Sequence, residues 1–197
     1  MWFQMVKTGL PIQSVCVYCA SSQAVSDNYK KVARELGQLI GDSGYELIYG
    51  GASIGLMGEV ARGVHERGGR VVGVLPRFFL NKDITYEAAD ELIVTQDMRE
   101  RKSIMDGRAD AFIVLPGGVG TLEEAMEILS QIQLKQTAKP LVFINTEGFY
   151  HQLERFFHHL VDLDFAKQEM LQLFGMEDNP VAAVEYIRSH YAKRSRD

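Results

Sequence analysis

The stretch PGGVGTLEE, Pro116 to Glu124, places three glycines, a threonine and two carboxylates in close succession. Glycine lets backbone N–H groups approach an anion closely and adopt φ > 0. A helix starting behind such a loop adds unpaired N–H donors and a partial positive charge, the requirements of a phosphate site. Thr121 supplies a hydroxyl donor at the same place. A helix beginning near Gly120 puts Glu123 and Glu124 in its first turn. Complementing the helix dipole accounts for a glutamate there at roughly 0.3–1 kcal/mol. It does not account for carboxylates beside a bound phosphate, where like charges repel. Displaced by one turn, about 5.4 Å, a carboxylate can face the sugar of a nucleotide instead.

Cations gather in MRERKSIM, Met98 to Met105, where Arg99, Arg101 and Lys102 stand at the start of another expected helix. The dipole disfavours cations at that end. A solvated face tolerates them, but a ligand anion justifies them better, and arginine's planar fork suits phosphate or carboxylate.

A second glycine-rich turn, YGGASIGLMG, spans Tyr49 to Gly58. Either loop alone could serve only tight turns and close helix packing; two in one short chain favour phosphate. The dinucleotide fingerprint wants G-x-G-x-x-G, normally after the first strand. Here Ala20-Ser21-Ser22 follows that strand, and Glu123 stands where the later loop would need its third glycine. No lysine of the ATP-hydrolysing P-loop type follows either loop. Cys16 and Cys19 form a C-x-x-C, but they fall on a strand, where residues three apart point to opposite faces, so they read as structural. His151 and His158 share a helix face at i, i+7, too far apart for one metal site, and no Cys or carboxylate set completes a tetrahedron. The pairs Phe78-Phe79 and Phe156-Phe157 read as core or interface.

Something must hold these loops in place. Six short apolar runs, SVCVYCA, YELIYGG, RVVGVLP, ELIVTQ, DAFIVLPGG and KPLVFIN, read as buried parallel strands. Between them lie helical patterns: one behind Ser26-Asp27 that ends at Gly44, one over Gly55–Glu66, one over Met98–Met105, one from near Gly120, and one over Phe149–Leu163. A last helix is capped by Asn179 with Pro180 in its first turn. The alternation predicts an α/β fold, a doubly wound, Rossmann-like parallel sheet flanked by helices. The weakly periodic segment Arg77 to Glu91 is the longest loop, and loops of that length are often functional.

The chain has 197 residues and a formal net charge of −5. One domain over 1–197 is expected, with 1–13 and 193–197 frayed. Mixed charge, with a basic run only at Lys193–Arg196, argues against nucleic acid or an anionic membrane as partner. No apolar stretch reaches the roughly 18 residues of a membrane span, and the leader MWFQMVKTGLPIQ lacks the features of a signal peptide. The expected location is the cytoplasm.

In combination and in this order, PGGVGTLEE, MRERK, YGGASIGLMG and VYCASS resemble the P-G-G-x-G-T-x-x-E, M-H-x-R-K, Y-G-G-G-x-x-G-L-M-G and F-C-G-S-S motifs of the Lonely Guy (LOG) family. These are cytokinin riboside 5′-monophosphate phosphoribohydrolases, often mislabelled lysine decarboxylases. The similarity covers roughly Val15 to Asn145. It implies hydrolysis of the N-glycosidic bond of a nucleoside 5′-monophosphate (AMP or its N6-prenyl form) to free base and ribose 5-phosphate, without a cofactor. Arg101 and Glu124 fall on the family's catalytic pair, with Arg101 expected to position the nucleotide and keep Glu124 ionised. Gly51, Met98, Lys102 and the run Gly117, Gly118, Val119, Gly120, Thr121, Leu122 and Glu123 would bind substrate. So would Ser130, at a position the family usually fills with threonine. A homodimer with its sites near the subunit interface is also implied. Arg99, Ala52 and Asp83 depart from the family pattern of histidine, glycine and, in plant members, glutamate. The rivals are a non-hydrolytic carrier of a nucleotide-like cofactor, and a pyridoxal-phosphate decarboxylase, for which Lys102 is a poor Schiff-base candidate.

Overall fold

Valine and isoleucine dominate the strands because both faces of the sheet are covered. The computed structural model describes residues 12–80 and 84–194. Six strands lie where the apolar runs predict: β1 (Ser14–Tyr18), β2 (Glu46–Tyr49), β3 (Val71–Pro76), β4 (Glu91–Thr95), β5 (Ala111–Val114) and β6 (Leu141–Ile144). All pair in parallel. A seventh, β7 (Gly175–Glu177), extends the edge beside β6. Its three residues, Gly-Met-Glu, are too few to carry a strand pattern. The other edge strand, β4, is less buried than its apolar run predicts: Leu92 and Val94 are 37% and 42% exposed, since no further strand among the described residues lies beyond it.

Five α-helices lie between strands, α1 (Asp27–Asp42), α2 (Gly55–Glu66), α3 (Met98–Arg108), α4 (Val119–Gln133) and α5 (His151–Asp162), and α6 (Pro180–Arg194) follows β7. Asn179 caps α6 as its residue type predicts, its Oδ1 accepting from Ala182 N at 3.0 Å. Alternation along β1 sorts the core in two. Val15, Val17 and Cys19 join a cluster with α1, α2 and α6; Cys16 and Tyr18 join one with α3, α4 and α5. The two cysteines therefore belong to opposite faces, and burial pushes both thiols up, away from the reactive thiolate.

Strand order is β4-β3-β2-β1-β5-β6-β7. The chain winds outward from β1 to β4, then returns to place β5 on the other flank of β1. Ligands of open parallel sheets bind beyond the carboxyl ends of the strands at such a reversal. The segments after β1 and β5 meet there, with Ala20 N donating to Pro116 O at 3.2 Å.

The expected frayed ends lie largely outside the described residues. Within them, Ile12 is buried, Gln13 N donates to Asp110 and Lys193 belongs to α6. Asp83 also lies outside the described residues.

Candidate active site

Helix α3 begins with Asp97, whose carboxylate accepts from Arg99 N at 2.8 Å and Glu100 N at 2.9 Å. This cap and Glu100 in the first turn offset the cations that seemed misplaced at that helix end. Arg101 is buried, 5% exposed. Its Nε donates to Val74 O at 3.0 Å, and its Nη1 donates to Glu124 Oε1. Its Nη2 lies beside Gly50, where a Cβ would come within 2.5 Å of it. Because α4 begins at Val119, Glu123 and Glu124 fall in its second turn rather than the expected first, and Glu124, 6% exposed, projects from there to meet Arg101.

The protonation balance corrects one expectation. An adjacent cation lowers a carboxylate's pKa, but burial raises it. For Glu124 burial is the larger effect, so its carboxyl is held above the ordinary carboxylate range despite Arg101. The neighbouring Glu123 adds to the rise.

Arg101 and Glu124 line a cavity of about 350 Å³. Gly118, Gly120 and Thr121 of the glycine turn also line it, with Ser21 and Ser22 from the β1 loop. The first-turn amides of α4 at Val119, Gly120 and Thr121 have no backbone acceptor among the described residues. Gly117 makes the turn possible by close approach: a Cβ there would sit 2.1 Å from Thr121 Oγ1. The other glycine turn is arranged differently. Leu56 N and Met57 N, at the start of α2, both donate to Ala20 O, at 2.9 and 3.3 Å. Those amides are committed to the β1 loop, which leaves α4 as the better anion cradle.

Of the residues singled out in the sequence, Met98, Arg101, Gly118, Gly120, Thr121, Glu123 and Glu124 line the cavity. The others lie behind it or away from it. Gly51, with φ +77°, accepts from Tyr86 N at 2.9 Å and shapes the turn between cavity-lining Gly50 and Ala52. Gly117 supports Thr121, Val119 is 84% exposed, and Leu122 packs on the core beneath α4. Lys102 pairs with Glu123 and Glu127, and Ser130 donates to Met126 O at 2.8 Å.

Sequence reasoning missed much of the apolar wall: Met57, Leu75, Pro76, Phe79 and Ile84. Phe79 corrects the core-or-interface reading of its pair, since it faces the cavity while Phe78 is exposed. The available signal was the long loop after β3. Its Ile84 O accepts from Ser53 N at 2.7 Å, and Thr85 bridges to Ala52, folding the loop over the β2–α2 turn. Of the second pair, Phe157 is core and Phe156 is exposed. His151, His158 and His159 are exposed, and no group of side chains among the described residues is arranged to hold a metal ion.

A parallel sheet with its cavity at the strand reversal defines the doubly wound α/β class. The family model described as "Possible lysine decarboxylase" matches residues 57–187, and the chain belongs to that family, the LOG family anticipated from its motifs. It is 40% identical over 176 residues to the cytokinin riboside 5′-monophosphate phosphoribohydrolase LOG5 of Arabidopsis thaliana, covering 89% of this chain and 77% of that one. A probable enzyme of the same name from Oryza sativa subsp. japonica, LOGL6, is 35% identical, with 92% and 73% covered. Among solved structures, the molybdenum cofactor carrier protein of Chlamydomonas reinhardtii superposes with a TM-score of 0.69 at 27% identity, over 92% of this chain and 99% of that one.

Proposed function

We propose that this chain is a phosphoribohydrolase that cleaves the N-glycosidic bond of a purine nucleoside 5′-monophosphate, giving free base and ribose 5-phosphate. One observation carries the assignment of roles: the buried Arg101–Glu124 pair lines the same cavity as Gly118, Gly120 and Thr121, whose amides lie about one helical turn before Glu124. The α4 amides and Thr121 hold the 5′-phosphate. Glu124 then lies at the ribose, where it stabilises the cationic, oxocarbenium-like sugar and accepts the proton of the attacking water. The C1′–N bond breaks as the water oxygen bonds C1′, the bond's electron pair leaves with the base, and the base takes up the proton that Glu124 had accepted, which restores the carboxylate. A pKa raised by burial makes Glu124 a stronger base than an exposed glutamate. Arg101 aims it.

Leu75, Phe79, Ile84 and Met98 give the same cavity an apolar surface suited to a purine face or an N6-prenyl group. A panel of nucleoside monophosphates, with and without that group, resolved by chromatography, decides the preference. A second outcome concerns the handle. Phosphate anchoring converts binding into positioning, so adenosine is expected to react at least about 100-fold more slowly than AMP in kcat, and not merely with a higher KM. Equal kcat values would remove the phosphate from this account. A third concerns Gly50. Gly50→Ala is expected to lower kcat about tenfold, because the new Cβ displaces Nη2 of Arg101; an unchanged kcat would show that the pair tolerates the shift.

The likeness to a molybdenum cofactor carrier favours a second reading, binding without hydrolysis. AMP left intact after prolonged incubation with folded protein would support it. A homodimer and a cytoplasmic location complete the proposal, and light scattering in solution tests the first. No helix among the described residues is long and apolar enough to cross a membrane.

A further inference from the structure

Lys102 and Glu127 do not line the cavity, yet they bracket the one carboxylate on which the proposed reaction turns. The Lys102 ammonium lies 2.5 Å from Glu123 Oε1 and 2.5 Å from Glu127 Oε2. Those carboxylates are four residues apart, so they stack one above the other on the same face of α4. Glu127 Oε2 is out of contact with solvent and has no well-directed hydrogen bond among the described residues, so the ammonium 2.5 Å away is the charge that compensates it. Arg101, the preceding residue of α3, pairs with Glu124. Successive positions on a helix are separated by about 100°. Two consecutive cations of α3 thus grip α4 along two different lines, Glu124 on one and Glu123 with Glu127 on the other.

One such link lets a helix roll about its axis; two links on different lines do not. We infer that Lys102, acting through Glu127, is a positioning residue that fixes the rotation of α4 and thereby the placement of Glu124. The close-packed seat of α4 at Ala125, Ile128 and Leu129 sets where the helix lies, and the two ionic links set its fine rotation within that seat. Further along the seam Gln131 donates to Asp106 at 3.2 Å, but it holds the far end of the helix. The lever is long enough to matter. A carboxylate roughly 6 Å from the helix axis moves about 1 Å for a 10° roll. A misplacement of about 1 Å can cost on the order of 100-fold in rate.

This role rests on the phosphoribohydrolase reading, and the test separates the two. Wild type, Lys102→Met, Glu127→Gln, the double variant and Lys102→Arg are compared with AMP as substrate. Lys102→Met is expected to lower kcat by roughly 10- to 100-fold with KM within about twofold. Glu127→Gln should lower kcat in the same way, the double variant should be no worse than Lys102→Met, and Lys102→Arg should recover most of the loss. A raised KM with unchanged kcat in Lys102→Met would instead make Lys102 a substrate contact. A wild-type kcat in Glu127→Gln would also overturn the role. If the wild type releases no base from any nucleotide, the functional reading fails alone. The positioning is then read without turnover, from the guanidinium proton resonances of Arg101. These are slowed in exchange by the pair with Glu124, and they should exchange faster in both Lys102→Met and Glu127→Gln. Unchanged exchange in both variants would overturn it.

Discussion

Glu124→Gln is expected to lower kcat about 1000-fold while leaving AMP bound with an affinity within a few-fold of wild type. The substitution keeps shape and volume, and the amide can still accept from Arg101, so the cavity wall is preserved. It removes the negative charge that stabilises the developing sugar cation and the basic oxygen that takes the water's proton. A single general acid or base contributes typically 10²–10⁴-fold, which sets the size of the loss. The phosphate handle is untouched, because the open amides of α4 precede Glu124 in the helix. Isothermal calorimetry with AMP and chromatography of released adenine measure the two halves separately. Normal adenine release by the Gln variant would remove Glu124 from the chemistry. Lost binding would mean that the carboxylate holds the nucleotide instead of acting on it.

The parts that could be read in the sequence were those with a local physical cause. Buried strands must be apolar on both faces, so six of them stood out, and β7 with its Gly-Met-Glu did not. Asn179-Pro180 and Gly44 punctuate helices through backbone chemistry that depends on one or two residues. The glycine turn before α4 belongs to the same class. What escaped was set by tertiary contact. Nothing in the spacing of Arg101 and Glu124 says that burial outweighs their attraction in fixing the carboxyl's proton affinity. Nor does local sequence say that the first amides of α2 are spent on Ala20 O, 36 residues before Leu56. Phe79 and Ile84 reach the cavity because the loop after β3 folds back, a long-range fact carried by Ser53 N and Ala52. Gly50 is the instructive omission. Its neighbour Gly51 has the positive φ, but it is Gly50 whose missing Cβ makes room for the guanidinium.

Arg101→Met is expected to abolish measurable turnover and to destabilise the fold in a pH-dependent way. The variant leaves Glu124 buried without its cation and Val74 O without its donor. Breaking one side of a buried pair costs about 3–5 kcal/mol when the remaining charge cannot be relieved. Here it can be relieved, because Glu124 can take up a proton. Its folded pKa already lies above the ordinary value, and losing Arg101 removes the largest effect holding it down. A carboxyl whose folded pKa is raised binds more protons folded than unfolded, so stability falls as pH rises from the unfolded value near about 4.3. The fall continues until the folded pKa is passed. The variant should therefore approach wild-type stability near pH 4.5 and fall progressively below it toward pH 8. At about 2–4 °C per kcal/mol for a chain of this size, the deficit at pH 8 is on the order of 10 °C in Tm. Adding Glu124→Gln should recover most of that deficit and flatten the pH dependence, since the double variant buries no charge there. Thermal unfolding followed by circular dichroism from pH 4.5 to 8 measures this. A deficit independent of pH, or one that Glu124→Gln fails to relieve, would locate the cost in Val74 O and packing rather than in the stranded carboxylate.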